Sequence, residues 1–251
     1  MNPSRLVAAL SVTGLLVAGP LVPTSQAQQN QPIYPAYDGF LKNPDGSYTL
    51  SFAYFSHNAE VVTVPAGTAN AFAPAPGDRQ QPTVFKPGHW RFQCIMVVGP
   101  EFDGKMVWNL AYAGTTTGTS QRMLQSNWYL VEGAEELKKI DFATAKRGVC
   151  LNRAPIVRVL GVGRGGESST LNAAVGEPLP LFGSIADEGL PRGKDVVASW
   201  KQISGPGQAK IENANVARTH ATFPAAGEYV LELTGTDSEL TSTARITVHI
   251  K

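Results

Sequence analysis

The chain has 251 residues, with 21 Lys and Arg against 20 Asp and Glu, charged side chains at only 16%, and 25 Gly and 18 Pro. A near-neutral balance with no basic block excludes nucleic acid and anionic membrane surfaces as the main partners. Low charge with abundant Gly and Pro is the composition of an all-β exported chain rather than a helical cytoplasmic one.

The first residues hold one cation, Arg5, then an apolar run over residues 6–22 broken by Gly14, Gly19 and Pro20, then the small and polar end Ser25-Gln26-Ala27. That three-part pattern predicts a secretory signal peptide cut after Ala27; the run is too short and too broken for a span of about 20 apolar residues. Cleavage removes Arg5, so the exported part is formally neutral and not membrane-spanning, and its expected location is secreted or periplasmic. The remaining length suits two domains of about 100 residues each, drawn at residues 28–150 and 151–251. Cys94 and Cys150 both fall in the exported part, where two cysteines most simply form a disulfide, the alternative being two buried thiols. Their spacing fits neither a zinc site nor a redox motif.

In chain order, residues 28–35 are a polar, Pro-bearing lead expected to stay loose or to hug the first sheet. Tyr37-Asp38-Gly39-Phe40 and Asn43-Pro44-Asp45-Gly46 are turn signals. The second feeds a strand over residues 47–55, in which Tyr48, Leu50, Phe52 and Tyr54 share a core face. A short strand over residues 60–64 is closed by Pro65. Residues 66–88, punctuated by Pro74, Pro76, Pro82 and Pro87, read as a long surface loop. Strands over residues 89–98 and 106–113 are expected as a hairpin across a turn at 100–104. A turn over 114–118, a last strand over 126–131 and a helix of about two turns over 133–140 complete the first unit.

Alternation stops over residues 146–155 and resumes near 156–160, 170–175, 179–182, 196–203, 209–212, 218–223, 228–234 and 241–250. Seven or eight short strands in about 95 residues is the arithmetic of an immunoglobulin-like sandwich. Its clearest stretch is 223–237, where a Pro and Gly turn feeds a strand with Tyr229, Leu231 and Leu233 on one face and Val230, Glu232 and Thr234 on the other. Trp200 is the expected core plug, and Tyr229 is placed to hydrogen-bond back to the preceding corner. The expected fold class is therefore all-β, with two consecutive β-sandwich domains.

Asp187-Glu188-Gly189-Leu190-Pro191, Ala198-Ser199-Trp200-Lys201, Ser204-Gly205-Pro206-Gly207, Ala221-Thr222-Phe223, Gly227-Glu228-Tyr229-Val230-Leu231 and Asp237 follow one another in an order that resembles the PKD-like repeats of exported bacterial proteins. The resemblance covers residues 153–251 and implies a β-sandwich serving as a spacer, adhesion or binding module, usually without catalysis. It departs from the family at Thr236-Asp237-Ser238-Glu239, where the commoner pattern has a glycine after the aspartate. The first unit, with Tyr37-Asp38-Gly39-Phe40, the run from Asn43 to Phe52 and Gln81-Pro82-Thr83, resembles a segment of uncharacterised exported bacterial proteins, which implies a β fold and no activity.

Candidate chemistry is sparse. Gly161-Val162-Gly163-Arg164-Gly165-Gly166 matches a dinucleotide fingerprint by letters, but no helix start follows it, so it reads as a flexible loop. Gly-x-Ser-x-Gly, His-Glu-x-x-His and Cys-x-x-Cys do not occur. His57, His89, His220 and His249 are scattered and read as solvated or satisfied side chains rather than bases. Asp187, Glu188 and Asp237, in turns at one end of the second unit, are candidate calcium ligands in a structural role, although turn chemistry accounts for the same residues; no other cofactor is expected. Tyr34, Tyr37, Phe40, Phe55 and Trp90 are candidates for an aromatic platform facing a sugar ring or an envelope protein, although aromatics on strands more often belong to a core. The function expected is a non-catalytic binding, adhesion or envelope-structural protein. The alternative is a secreted hydrolase whose site is assembled from dispersed carboxylates with His57 or His89.

Overall fold

The computed structural model describes residues 30–119, 122–130, 135–160 and 170–251; the expected signal peptide and the glycine run 161–166 lie outside the described residues. The first unit contains β1 (Ile33–Lys42), β2 (Tyr48–Ser56), β3 (Val62–Thr63), β4 (Asn70–Ala73), β5 (Val84–Phe85), β6 (Gly88–Val98), β7 (Val107–Tyr112) and β8 (Thr115–Gly118). They form one sheet in the order β1-β2-β6, another in the order β4-β7-β8, and a ribbon β3-β5. Phe52, Phe72, Phe85 and Trp108 close the space between them, with Phe72 stacked on Trp108 at 5.7 Å and Phe52 edge-on to Phe72 at 5.1 Å. Aromatic rings held edge-on or offset stabilise beyond their buried area.

Several local expectations change in this unit. From Ile33 onward the lead, and the turn signal at Tyr37-Asp38-Gly39-Phe40, are strand: β1 runs through them with a bulge between Tyr37 and Gly39. A Cβ at Gly39 would sit 2.4 Å from the carbonyl oxygen of Trp128, so the crossing of residues 128–130 over the bulge requires glycine there. That crossing replaces the strand expected over 126–131: Ser126–Trp128 is a 3-10 turn and Tyr129 makes a single bridge to Phe40. The helix expected over 133–140 is the single turn α1 (Glu135–Lys138). Strands β6 and β7 are not a hairpin, because β6 pairs with β2 while β7 pairs with β4 and β8. The turn expected at 114–118 shrinks to Ala113 and Gly114, both at positive φ, and the threonines after it form β8.

The largest correction is the Pro-rich stretch 66–88, which is not a free surface loop: it carries β4 and β5 and buries Asn70, Phe72, Arg79, Gln81, Pro82 and Phe85, while residues 73–76 stay exposed. Asn70 is fully buried: its Nδ2 donates to the carbonyls of Val64 and Pro82, and its Oδ1 accepts from Trp108 Nε1 at 2.9 Å. Gln81, also fully buried, donates to the Asn70 carbonyl and accepts the Arg79 N–H. Arg79 spreads its guanidinium over the carbonyls of Gly148, Pro74 and Ala75. These side chains supply hydrogen bonds that irregular backbone otherwise takes from water, which lets Phe72 and Phe85 of the segment reach the core. Cys94 on β6 is bonded to Cys150, tying the end of the unit to its central sheet.

The second unit follows the expected strand list closely, with β9 (Ile156–Val159), β10 (Thr170–Ala173), β11 (Leu179–Ala186), β12 (Val197–Ser204), β13 (Lys210–Ile211), β14 (Arg218–Thr222), β15 (Gly227–Thr236) and β16 (Thr241–Ile250). The sheets β10-β16-β15-β12 and β13-β14-β11-β9 face each other over Leu181, Trp200, Phe223, Tyr229, Leu231, Leu233, Ile246 and Val248. Trp200 plugs the core and donates its Nε1 to the Ala217 carbonyl, and the Tyr229 hydroxyl donates back to the Ala225 carbonyl at 3.0 Å. Glu232, on the outward face, is covered by Lys201 and Arg245 at 2.8 and 2.6 Å. Ser238, which stands where the PKD pattern has glycine, takes φ 87, and the turn is held by Asp237 Oδ1 accepting the N–H groups of Glu239 and Leu240.

Reduction of the Cys94–Cys150 bond frees a loop of sequence separation 56. By the chain-entropy argument this lowers the unfolding free energy of the first unit by about 4 kcal/mol. Calorimetry with and without reductant should show one transition falling steeply while the transition of the cysteine-free second unit moves far less.

Candidate functional site

Two places gather functional side chains: a polar junction between the two cores and an aromatic row on the first unit. The junction starts where Cys150 N donates to the Arg79 carbonyl at 2.6 Å and Leu151 N to the Ile95 carbonyl at 2.8 Å, so the chain leaves the first unit still bonded to it. Arg153 then binds both sides. Its backbone N–H donates to Glu188 Oε1 at 2.7 Å, and its guanidinium reaches Glu188 Oε2 at 3.2 Å and the Phe92 carbonyl on β6.

Phe92 presents that carbonyl because its backbone is left-handed, at φ 59, in a bulge of β6 against β2. Such a conformation costs about 1–2 kcal/mol for a residue with a Cβ. Asp38 holds it, accepting the Phe92 N–H at 2.9 Å together with Arg91 Nε at 2.7 Å and Ser51 Oγ at 3.1 Å. A continuous polar path therefore runs from β1 through the bulge and Arg153 to the loop after β11. Two further contacts reinforce it: Arg192 pairs with Asp78, and Leu190 of that loop is buried in the first unit's core at 3% exposure.

Burial decides the electrostatics here. Glu188 is raised to about 7 by desolvation, against the pull of the Arg153 guanidinium and with added repulsion from Asp187. Asp187 is also raised by burial; the Gly189 N–H opposes the shift, and the charge of Asp237 adds to it. A cleft of ≈ 290 Å³ opens beside these groups, lined in part by Tyr54, Lys86, Gln93, Asp187, Glu188 and Lys194.

Of the three carboxylates singled out as calcium ligands, Asp187 and Asp237 are near enough to repel one another, whereas Glu188 is committed to Arg153. Among the described residues no group of three or more His, Cys, Asp and Glu side chains is arranged to hold a metal ion. Sequence reasoning passed over Asn152 and Arg153, and read Asp38 only as a turn residue. The available signal was an arginine two residues before a proline at the point where alternation stops, which marks a boundary but says nothing of its partners.

The aromatic candidates separate into two groups. Tyr34, Phe55 and His89 lie opposite one another across β1, β2 and β6 in one outward row. His57 joins them, its ring 5.9 Å from Tyr34 and 4.4 Å from Phe55. Tyr34 is 42% exposed, and both histidines are exposed. Tyr37 and Phe40 are core residues instead, since the bulge between Tyr37 and Gly39 reverses the alternation of β1 and turns Phe40 inward. Burial also raises the Tyr37 hydroxyl well above its usual range. Trp90 packs partly on the core with the Lys86 ammonium 5.2 Å over its ring. Neither His57 nor His89 is paired with a carboxylate among the described residues.

Replacing Arg153 with Ala leaves Glu188 buried without its counter-charge, a loss of about 3 kcal/mol. Small-angle scattering on the variant should show a wider spread of separations between the units. Arg153→Lys should recover the fold only in part, because one ammonium cannot serve Glu188 and the Phe92 carbonyl with the planar fork of a guanidinium.

A family model described as "K319L-like, PKD domain" matches residues 172–250. Among solved structures the chain is similar to the PKD domain from the KIAA 1837 protein, at 23% identity over 34% of this chain and 79% of that one, with a TM-score of 0.25. It is also similar to the PKD domain of human KIAA0319, at 16% identity over 40% of this chain and 83% of that one, with a TM-score of 0.31. A third similarity, to Drosophila N-cadherin EC1-3, has 8% identity over 83% of this chain and 78% of that one, with a TM-score of 0.31. Together with the ordered motifs from Asp187 to Asp237, the family match makes the C-terminal unit a PKD-like domain of immunoglobulin type.

Proposed function

We propose that this is a non-catalytic protein of the cell exterior, in which the PKD-like unit, residues 151–251, presents the first unit, residues 28–150, for adhesion, glycan contact or envelope assembly. The carrying observation is the outward row of Tyr34, Phe55, His57 and His89. Exposed ring faces edged by imidazole donors suit a sugar ring or the side chains of a partner protein. The PKD-like unit and the disulfide support an extracellular or secreted setting, where thiols oxidise. No described helix is long and apolar enough to cross a membrane.

The hydrolase alternative needs an imidazole positioned by an acid. His57 and His89 pack against aromatic rings instead, and the raised carboxylates Asp187 and Glu188 lie in the junction, with Glu188 bound to Arg153. Among the described residues nucleophile, base and cavity are not gathered in one place, which favours binding over catalysis.

A glycan array and a pull-down from envelope extract should give a signal with the full chain that falls at least tenfold in Tyr34→Ala with Phe55→Ala. The thermal midpoint should change little, because both side chains are partly exposed. Undiminished capture by the double variant would remove the row from the function.

A further inference from the structure

We infer that the outer face of the sheet β13-β14-β11-β9 holds an acidic polysaccharide, with the carboxylate of a uronate sugar seated at Ser184 between Arg158 and Arg218 and its ring against Phe182. The register fixes which side chains are neighbours. Arg158 on β9 stands directly opposite Ser184 on β11, and Phe182, the adjacent outward residue of β11, stands opposite Arg218 on β14. Leu160 closes the row on the other side, its N–H donating to the Phe182 carbonyl at 2.8 Å. All five residues are exposed, while Val159, Leu181, Gly183 and Thr219 between them are buried, so strand alternation sends the five to one side.

The two guanidiniums are free. Arg79, Arg91, Arg147, Arg153, Arg192 and Arg245 each hold a carbonyl or a carboxylate of this chain. Among the described residues the side chains of Arg158 and Arg218 hold nothing. Glu212, on the far side of β14 from Phe182, donates its N–H to the His220 carbonyl, and its carboxylate lies 3.3 Å from the His220 Nδ1 rather than on Arg218. Two cations on one face therefore lack a counter-charge, and an anion from outside supplies it.

The spacing suits a single carboxylate. Side chains directly opposite on paired strands start about 5 Å apart and diagonal ones about 7–8 Å apart, so both guanidinium forks reach an anion held by the Ser184 hydroxyl. Phe182 and Leu160, 46% and 65% exposed, offer apolar surface beside it for the C–H face of the sugar ring. The row stands on an open sheet face, which suits a ring lying flat more than the socketed anchors of protein interfaces. A polymer repeats the acid, so a weak single contact is strengthened by rebinding along the chain. This face belongs to the PKD-like unit, and the inference does not rest on the aromatic row of the first unit.

The test is affinity electrophoresis of the full chain through gels holding polygalacturonate, alginate or neutral dextran, with titration calorimetry for the constants. Retardation by both uronate polymers and none by dextran is expected, weakening as salt rises from about 50 to 200 mM. Arg158→Gln, Arg218→Gln and Phe182→Ala should each weaken binding about tenfold without moving the thermal midpoint, since all three side chains are exposed. Lys42→Gln, which removes an equal charge from the exposed surface of the first unit, should leave binding within about twofold. Polyglutamate of matched charge should bind about tenfold more weakly than polygalacturonate, because it has no ring for Phe182; parity would mean that charge alone is read and would overturn the sugar assignment in favour of an acidic protein. No retardation by either uronate polymer, or retardation untouched by the paired arginine substitutions, overturns the site itself.

Discussion

The burial of Glu188 against Arg153 is the constraint on which the arrangement of the two units depends. A carboxylate at 3% side-chain exposure is tolerated only if its lone pairs are filled, and both its backbone donor and its counter-charge come from Arg153. The same guanidinium needs another acceptor, which it finds on Phe92 in the other unit. Separating the units would leave the pair together but strip its guanidinium of the Phe92 carbonyl and open both charges to water. Leu190 adds an apolar share, since its side chain completes the first unit's core from the second unit's loop.

That loop therefore serves two neighbours. Leu190 and Arg192 face the first unit, while Asp187 faces the turn at Asp237. The linker reaches the same end of the sandwich through the hydrogen bond from Asn152 to Glu239, next to Ser238 in its left-handed conformation. The strain at Phe92 belongs to the same design. A residue with a Cβ is held at positive φ by the Asp38 carboxylate, and the carbonyl that this turns outward receives Arg153.

The first unit shows a different principle at work. Its stretch 66–88 has the composition of a surface loop, and composition alone gives no reason to bury it. Asn70, Gln81 and Arg79 change the outcome by bonding to backbone carbonyls that would otherwise need water, and Phe72 and Phe85 then gain from burial. With Phe72 and Phe85 packed on Phe52 and Tyr54 at the inner face of β1-β2-β6, the outer face is left to carry the Tyr34, Phe55 and His89 row.

Alternation made the second unit readable almost strand by strand, because each strand has one core face and the turns between strands carry their own Gly, Pro and Asn signals; Tyr229, Leu231, Leu233 and Trp200 lie where that pattern puts them. The paired cysteines and the aromatic core face of β2 were legible for similar local reasons. The sequence could not tell that Tyr37 and Phe40 both point inward, since one bulge at Gly39 inverts every later side chain on β1. Nor could it bring Asn152, Asp187 and Asp237 to one end of a sandwich, or Arg153 to Glu188 and Phe92. Local pattern determines which residues are strand and which face is apolar, because those are properties of neighbours along the chain. Which polar atoms meet, and which are left without partners, was decided only by the packing of segments 35 to 87 residues apart in sequence.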